Sequence, residues 1–293
     1  MHTGTMTRNQ QLARDIWRQL EPIHAVTYFA PEAREALDTA GYRGFWMGYF
    51  AGRAAPLGPA APEVVTALFY NFSPARVTKA LPDAWSFAEP SAALDARLSG
   101  SVRSLRRVLG DVADSADVAT AAALAGRAAR AAPMAGRALF ASNLAVTWPE
   151  EPLAALWHAA TLLREHRGDG HVAALVAAGI GGREANVVHS AAGGPPREML
   201  ARARDYDDAE WDAMAEGLKT RGLMAATGKL TERGLALKAD IEDRTDRSAL
   251  AAYETLDDAE IEQLLAAVTP LADAVVAAGD VPLISPIGLD LSR

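Results

Sequence analysis

Residues 208–247 read DAEWDAMAEGLKTRGLMAATGKLTERGLALKADIEDRTDR. Over Asp208–Arg221 the apolar residues Trp211, Met214 and Leu218 recur at helical spacing, which places them on one face of a helix. GLMAATGKLTERG (222–234) changes period, with two short apolar stretches on either side of Thr227-Gly228. That pattern predicts two short strands around a tight turn, a β-wing. Thr231-Glu232-Arg233-Gly234 then opens another helix, which runs through LALKADIEDRTDR. Helix, wing, helix sets the expected class as mainly α, with a short β-wing near 222–234.

Working outward, parts of the chain occur twice in the same order. Ala25-Val26-Thr27, followed by Tyr28, recurs as Ala145-Val146-Thr147, followed by Trp148. Trp46 precedes Arg53 by seven positions, and Trp157 precedes Arg164 by seven. VTALFYNFSPARV (65–77) is matched by VAALVAAGIGGREANV (172–187). Three ordered matches predict an internal duplication. Seven residues is nearly two helical turns, so each Trp shares a helix face with its Arg. A Gly/Pro break follows each pair, AAPLGPAAP in one half and EHRGDG in the other, and the second is expected to end its helix at Gly168. Two short apolar runs split by Ser73-Pro74 or Gly181-Gly182 come next, the outline of a helix-turn-helix. The expected architecture is a pair of tandem winged-helix-like modules, residues 1–135 and 136–293, the second with the β-wing and a C-terminal helix.

Length and composition fit this outline. With 293 residues the chain can bury an ample core, and two domains are expected. It has no cysteine, which excludes a disulfide scaffold, a thiolate zinc site and a cysteine nucleophile. The net charge is −8, against broad affinity for nucleic acid. The charge is uneven: residues 1–137 carry 15 basic and 12 acidic groups, and residues 138–293 carry 14 and 25. The N-terminal stretch Met1–Gln11 is polar and does not read as a secretory signal. The alanine runs near 119–135 and 272–278 are broken by Arg, Pro or Asp, so no membrane span is expected. These features predict a cytoplasmic protein. The tail Val281–Arg293, with two prolines, reads as a strap or a disordered end.

The stretch 208–247 resembles the end of a MarR-type winged helix, with Leu230-Thr231-x-x-Gly234 after the wing. Only Lys229 lies near the wing tip, short of the basic tip that the resemblance implies for reading DNA. Over most of its length the chain also resembles a family of actinobacterial helix-turn-helix proteins, carried by EPIHAVTYFAPEAREAL, GYFAGRAAPLG and LWHAATLLREHRGDGHVAAL. In the MarR resemblance the terminal helices form a dimer. Here the second copy of the module can take that place, so a monomer or weak homodimer is expected.

Chemistry has two candidate locations. Ten of the nineteen aromatic residues fall within residues 28–72, among them Tyr28, Trp46 and Tyr49. With His24 and Arg53 they describe either a core or the wall of a small-molecule pocket. Small residues at Ala159, Ala160 and Thr161 in the second copy would leave room, which places the pocket between the halves. Its ligand-binding candidates are His24, Tyr28, Trp46, Tyr49, Arg53, Trp157 and Arg164, the arginines anchoring an anionic or carbonyl group. The second location is WHAATLLREHRGDGH (157–171). His166 and His171, oriented by Asp169, are the catalytic candidates for acid–base chemistry; the bland alternative is a polar helix end. The i,i+4 histidine spacing of helical metal sites is missing, and no glycine-rich phosphate loop occurs, so neither a metal nor a cofactor is expected. For DNA, Arg97, Arg103, Arg106 and Arg107, with Arg76 and Lys79, offer the one plausible surface. The leading reading is a small-molecule-binding protein with degenerate winged-helix modules and a pocket between its halves, in a regulatory or biosynthesis-accessory role. The alternatives are a DNA-binding transcriptional regulator and an enzyme using the Arg164–His171 stretch.

Overall fold

Local chemistry fixes where the helices start. Proline, whose φ is already helical and whose missing N–H costs nothing in a first turn, opens five of them. These are α2 (Pro31–Thr39), α4 (Pro62–Phe69), α5 (Pro74–Thr78), α7 (Pro90–Leu109) and α10 (Pro152–Ala177). Capping boxes, Asp207 with Glu210 and Asp257 with Glu260, open α13 (Asp208–Thr220) and α15 (Asp258–Ala278). Single side chains cap α1 (Gln10–Phe29, Asn9), α8 (Ala116–Ala131, Ser115) and α14 (Glu232–Leu250, Thr231). The remaining helices are α3 (Gly44–Ala54), α6 (Ala84–Phe87), α9 (Ala138–Leu144), α11 (Gly182–Ala191) and α12 (Arg197–Arg204). The computed structural model describes residues 8–288 and residue 291, and over these the fold is mainly α. The start of the N-terminal stretch, residues 1–7, lies outside the described residues.

The helices build three buried clusters. The largest surrounds α10, against which α1, α7, α8 and α14 pack, and α15 closes it against α1, α7 and α8. It joins Ile16, Ile23 and Val26 of α1, Leu105 of α7, Ala121 and Ala125 of α8, Leu156 and Trp157 of α10, and Leu264 and Val268 of α15. It therefore draws on both sides of residue 135. The second cluster holds α3 to α6, centred on Phe50, Val65, Phe69, Phe72 and Leu81. The third holds the end of α10 with α11 to α14, centred on Ile180, Val187, Leu200, Trp211, Leu218 and Ile241. By length and hydropathy α15 is apolar enough to cross a membrane. Its Ile261, Leu264, Val268, Leu271 and Val275 are instead spent on the central cluster.

Three expectations change. The wing shrinks to a single antiparallel bridge, Met224 with Leu230, flanked by hydrogen bonds from Ala225 N–H to Lys229 O (2.8 Å) and from Thr231 N–H to Leu223 O (3.0 Å). Ala225, Ala226 and Gly228 offer no branched or aromatic side chain to extend a ladder, and no strand forms among the described residues. The duplicated segments do not repeat one structure throughout. Ala25-Val26-Thr27 lies inside α1, while Ala145-Val146-Thr147 follows the end of α9. Each Trp–Arg pair lies inside a helix, α3 or α10, and the third pair takes the form helix–break–helix as α4–α5 and as α10–α11. Finally, α10 does not stop at Gly168 but continues to Ala177. A Cβ on Gly170 would lie 2.6 Å from Ser248 Oγ and 2.7 Å from an Arg137 Nη. That glycine lets α14 approach and is not a stop signal.

Candidate functional site

The two helix–break–helix units touch each other. Tyr70 donates its hydroxyl to Ile180 O (2.6 Å), and Asn186 Nδ2 donates to Asn71 O (3.0 Å). A Cβ on Gly182 would sit 1.8 Å from Tyr70 O, so only glycine fits there. Tyr70 itself holds φ at 57° directly after α4, a conformation that bulky residues rarely adopt. Behind this contact, where both units meet α1 and α10, lies a cavity of about 210 Å³.

Charge dominates its walls. Glu165, 2% exposed, receives Arg53 in a fork, Nε to Oε1 and Nη2 to Oε2, both 3.2 Å. Arg164 Nη1 approaches the same Oε1 at 2.9 Å, and Arg164 Nε lies 3.7 Å from Glu21. Burial pushes the Glu165 carboxyl up, but Arg164 and Arg53 outweigh it and hold it at about 2. Burial keeps Glu21 above the ordinary carboxylate range against the pull of Arg164, and Trp17 donates to it at 2.9 Å. On the far wall Arg167 is paired with Asp246 behind it (2.7 Å), and Lys238 with Glu242 (3.3 Å).

Arg204 differs from these. It borders the cavity and is 5% exposed, yet no carboxylate pairs with it among the described residues. It donates Nη2 to Pro286 O (2.6 Å) and stacks on Phe72, with Cζ 4.2 Å from the ring centre. Its Nε is buried without a hydrogen-bond partner. Burial lowers its pKa.

The candidates from the sequence separate into groups. Tyr49, Arg53 and Arg164 line the cavity, as do Asp169 and His171. His24 and Tyr28 do not line it: His24 Nδ1 lies 2.9 Å from Thr161 Oγ1 and Nε2 3.0 Å from the Tyr28 hydroxyl, and Tyr28 borders the depression between α3 and α12. Trp157 is a core residue, 1% exposed. Trp46 faces outward, beneath the Arg76 guanidinium (4.4 Å). The room expected beside Ala159, Ala160 and Thr161 does not exist, because all three are packed in the interior, Thr161 against His24. The cavity opens two turns further along α10.

The expected histidine–aspartate pairing is not made. His166 meets Phe140 edge-on at 5.1 Å, away from the cavity, and His171 Nδ1 lies 2.9 Å from Thr245 Oγ1. Asp169 accepts the Phe140 N–H (2.9 Å) and so caps α9 from a neighbouring helix. Burial raises Asp169 to about 6 and lowers His166 and His171 to about 4. No group of three or more His, Asp or Glu side chains among the described residues is placed to hold a metal ion.

The expected DNA surface on α7 is spent on ion pairs. Arg97 is buried and donates to Gly52 O and Asn143 Oδ1. Arg103 pairs with Glu35, Arg106 with Asp114 and Glu151, and Arg107 with Glu32 and Asp280. Arg76 and Lys79 both reach Asp205.

A second depression, about 690 Å³ and open to solvent, runs between α3 and α12. Phe45, Trp46, Tyr49 and Met199 make it apolar. Tyr49, Arg204, Pro286 and Ile287 border both this groove and the cavity, forming the partition between them. The tail expected as a strap supplies two of the four.

A family model described as a helix-turn-helix family matches residues 13–282 of the chain. No curated protein and no solved structure shows a significant match to it.

Proposed function

The chain belongs to that helix-turn-helix family, and from this premise we propose a regulator-type protein that binds a small molecule in the cavity where its two helix–break–helix units meet. One observation carries the reading: the cavity touches the α4–α5 turn, α11 and α12 at once, so an occupant contacts both units. Arg53 and Arg164 are already paired with Glu165, which makes them a scaffold for the site more than free anchors. The apolar side of α15 is covered within the chain, which supports a monomer or weak dimer.

Family membership favours DNA binding as the second half of this function. The order α12, α13, bridge, α14 supports a winged-helix reading of the MarR type for 208–247. The α13 helix bears Asp208, Glu210, Asp212 and Glu216, which repel phosphate. The corner beside the bridge carries Lys219, Arg221, Lys229 and Arg233, the last three exposed, and is the better phosphate-facing surface.

Two measurements test the proposal. Native mass spectrometry of the purified chain is expected to show a co-purifying small molecule or a thermal shift from a metabolite library; neither appearing removes the ligand. Binding to the operon's own upstream duplex is expected to fall steeply with salt and to weaken in a Lys229→Ala, Arg233→Ala variant. No binding at low salt removes the DNA.

A further inference from the structure

Arg204 is left over from the ion pairs that neutralise the other cations of the cavity wall. Removing a guanidinium from water without a carboxylate is costly, and a buried N–H without an acceptor adds to that cost. Phe72 stacking and one carbonyl from Pro286 meet only part of the demand. Arg53 and Arg164 lie near enough to repel the Arg204 charge and, with burial, lower its pKa, so an anion placed here would relieve the repulsion. Immediately beyond Arg204 the aromatic groove begins, sharing Tyr49, Pro286 and Ile287 with the cavity.

We propose that Arg204 recognises the head of an amphipathic monocarboxylate whose apolar body lies in the groove of Phe45, Trp46, Tyr49 and Met199. This rests on the cavity reading above and narrows its ligand class. A single negative charge matches Arg204, the one arginine or lysine lining the cavity that has no carboxylate partner among the described residues. The planar carboxylate suits the edge of a guanidinium whose Nε–H is still unused. The groove walls are rings and a thioether, surfaces that hold an apolar chain or ring. Pro286 and Ile287 of the C-terminal strap lie over the point where head and body join.

Isothermal titration with octanoate, octanamide and octyl phosphate tests this on the full chain. Octanoate is expected to bind the unaltered protein at least ten-fold more tightly than octanamide, which has the same length and no charge. In Arg204→Gln, confirmed as folded by circular dichroism, that difference is expected to vanish. Met199→Trp, which fills the groove and leaves Arg204 in place, is expected to remove the gain in affinity from butyrate to octanoate. Equal affinity of the unaltered protein for octanoate and octanamide overturns the assignment to Arg204. Tighter binding of octyl phosphate than of octanoate overturns the single-charge argument. If octanoate fails while another small molecule co-purifies, the carboxylate falls and the cavity reading stands. If nothing binds and nothing co-purifies, the cavity reading itself falls.

Discussion

Glu165 is a single carboxylate shared by two buried arginines, with Glu21 as the more distant partner of one of them. Breaking such a pair from one side leaves uncompensated charge in the interior, an effect of about 3–5 kcal/mol. Glu165→Gln is therefore expected to lower stability by that amount in urea denaturation at neutral pH, and a loss below about 1 kcal/mol would contradict the geometry. Titration gives a second check. His158, His166, His171 and His189 are each lowered by burial to about 4 from an ordinary 6.5. The folded chain thus binds fewer protons than the unfolded one, so their contribution is full above pH 6.5 and lost as pH falls through 4. Glu165, held at about 2 against an ordinary 4.5, adds a loss below pH 4.5. Asp169, raised to about 6, runs the opposite way, its share present at low pH and lost as pH rises through 6. Glu21, raised by burial, runs the same way as Asp169, but the four histidines, with His24 lowered as well, outnumber these two carboxyls, so the urea midpoint is expected to fall steadily from pH 6.5 to 4. A flat profile there would mean that the histidines are not buried neutral.

At the scale of elements, the contact between the α4–α5 turn and the start of α11 allows no side chain at Gly182. Gly182→Ala is expected to destabilise by about 1–3 kcal/mol through forced separation of the two units. Gly217→Ala is the control of opposite sign. It lies inside α13, where an added Cβ would meet its nearest neighbour at 3.8 Å, and it should stabilise by about 0.5–1 kcal/mol. Comparing the two in one thermal-denaturation series separates close approach from helix propensity. The same contrast explains what the sequence made legible. The helix over 208–221 and the one opened at Thr231 were readable because Asp207 and Thr231 cap their own first turns. The Trp–Arg spacing placed Arg53 and Arg164 on helices, where both border the cavity, since a helix face is a local property. Gly168 misled as a stop signal because α10 runs on through it to Ala177, and the Ser248 side chain that crowds Gly170 is on α14, far away in the chain. Arg204 was invisible for a similar reason: in REMLARARD it has the pattern of a solvated helix face, and only the packing of α12 against Phe72 and the strap buries it.

For the whole molecule, the central cluster decides what can fold alone. Ile16, Ile23 and Leu105 from the first half are buried against Trp157, Leu264 and Val268 from the second. Residues on both sides of 135 therefore complete one core. Residues 1–135 expressed alone are expected to show the broad, uncooperative melting of a chain without a core, and a sharp transition would refute this. The charge asymmetry of the halves has a related meaning. Arg103, Arg106 and Arg107 of α7 are neutralised by acids that include Glu151 and Asp280, and Arg97 is buried, so the excess of positive charge in the first half is not displayed on α7 as a basic face.

The length of α10 has a mechanical consequence. Twenty-six residues make a rod of about 39 Å, and Arg164, Asp169 and His171 meet the cavity along its second half. Its first turn begins beside Glu151, which Arg106 of α7 holds, on the opposite side of the molecule. A rod pivoting within a packed bundle turns small rotations at one end into translations at the other. A tilt of a few degrees over that length displaces the distant tip by about 2–3 Å. Occupancy of a small space can in this way be read as displacement on a remote face, by leverage and without unfolding any segment.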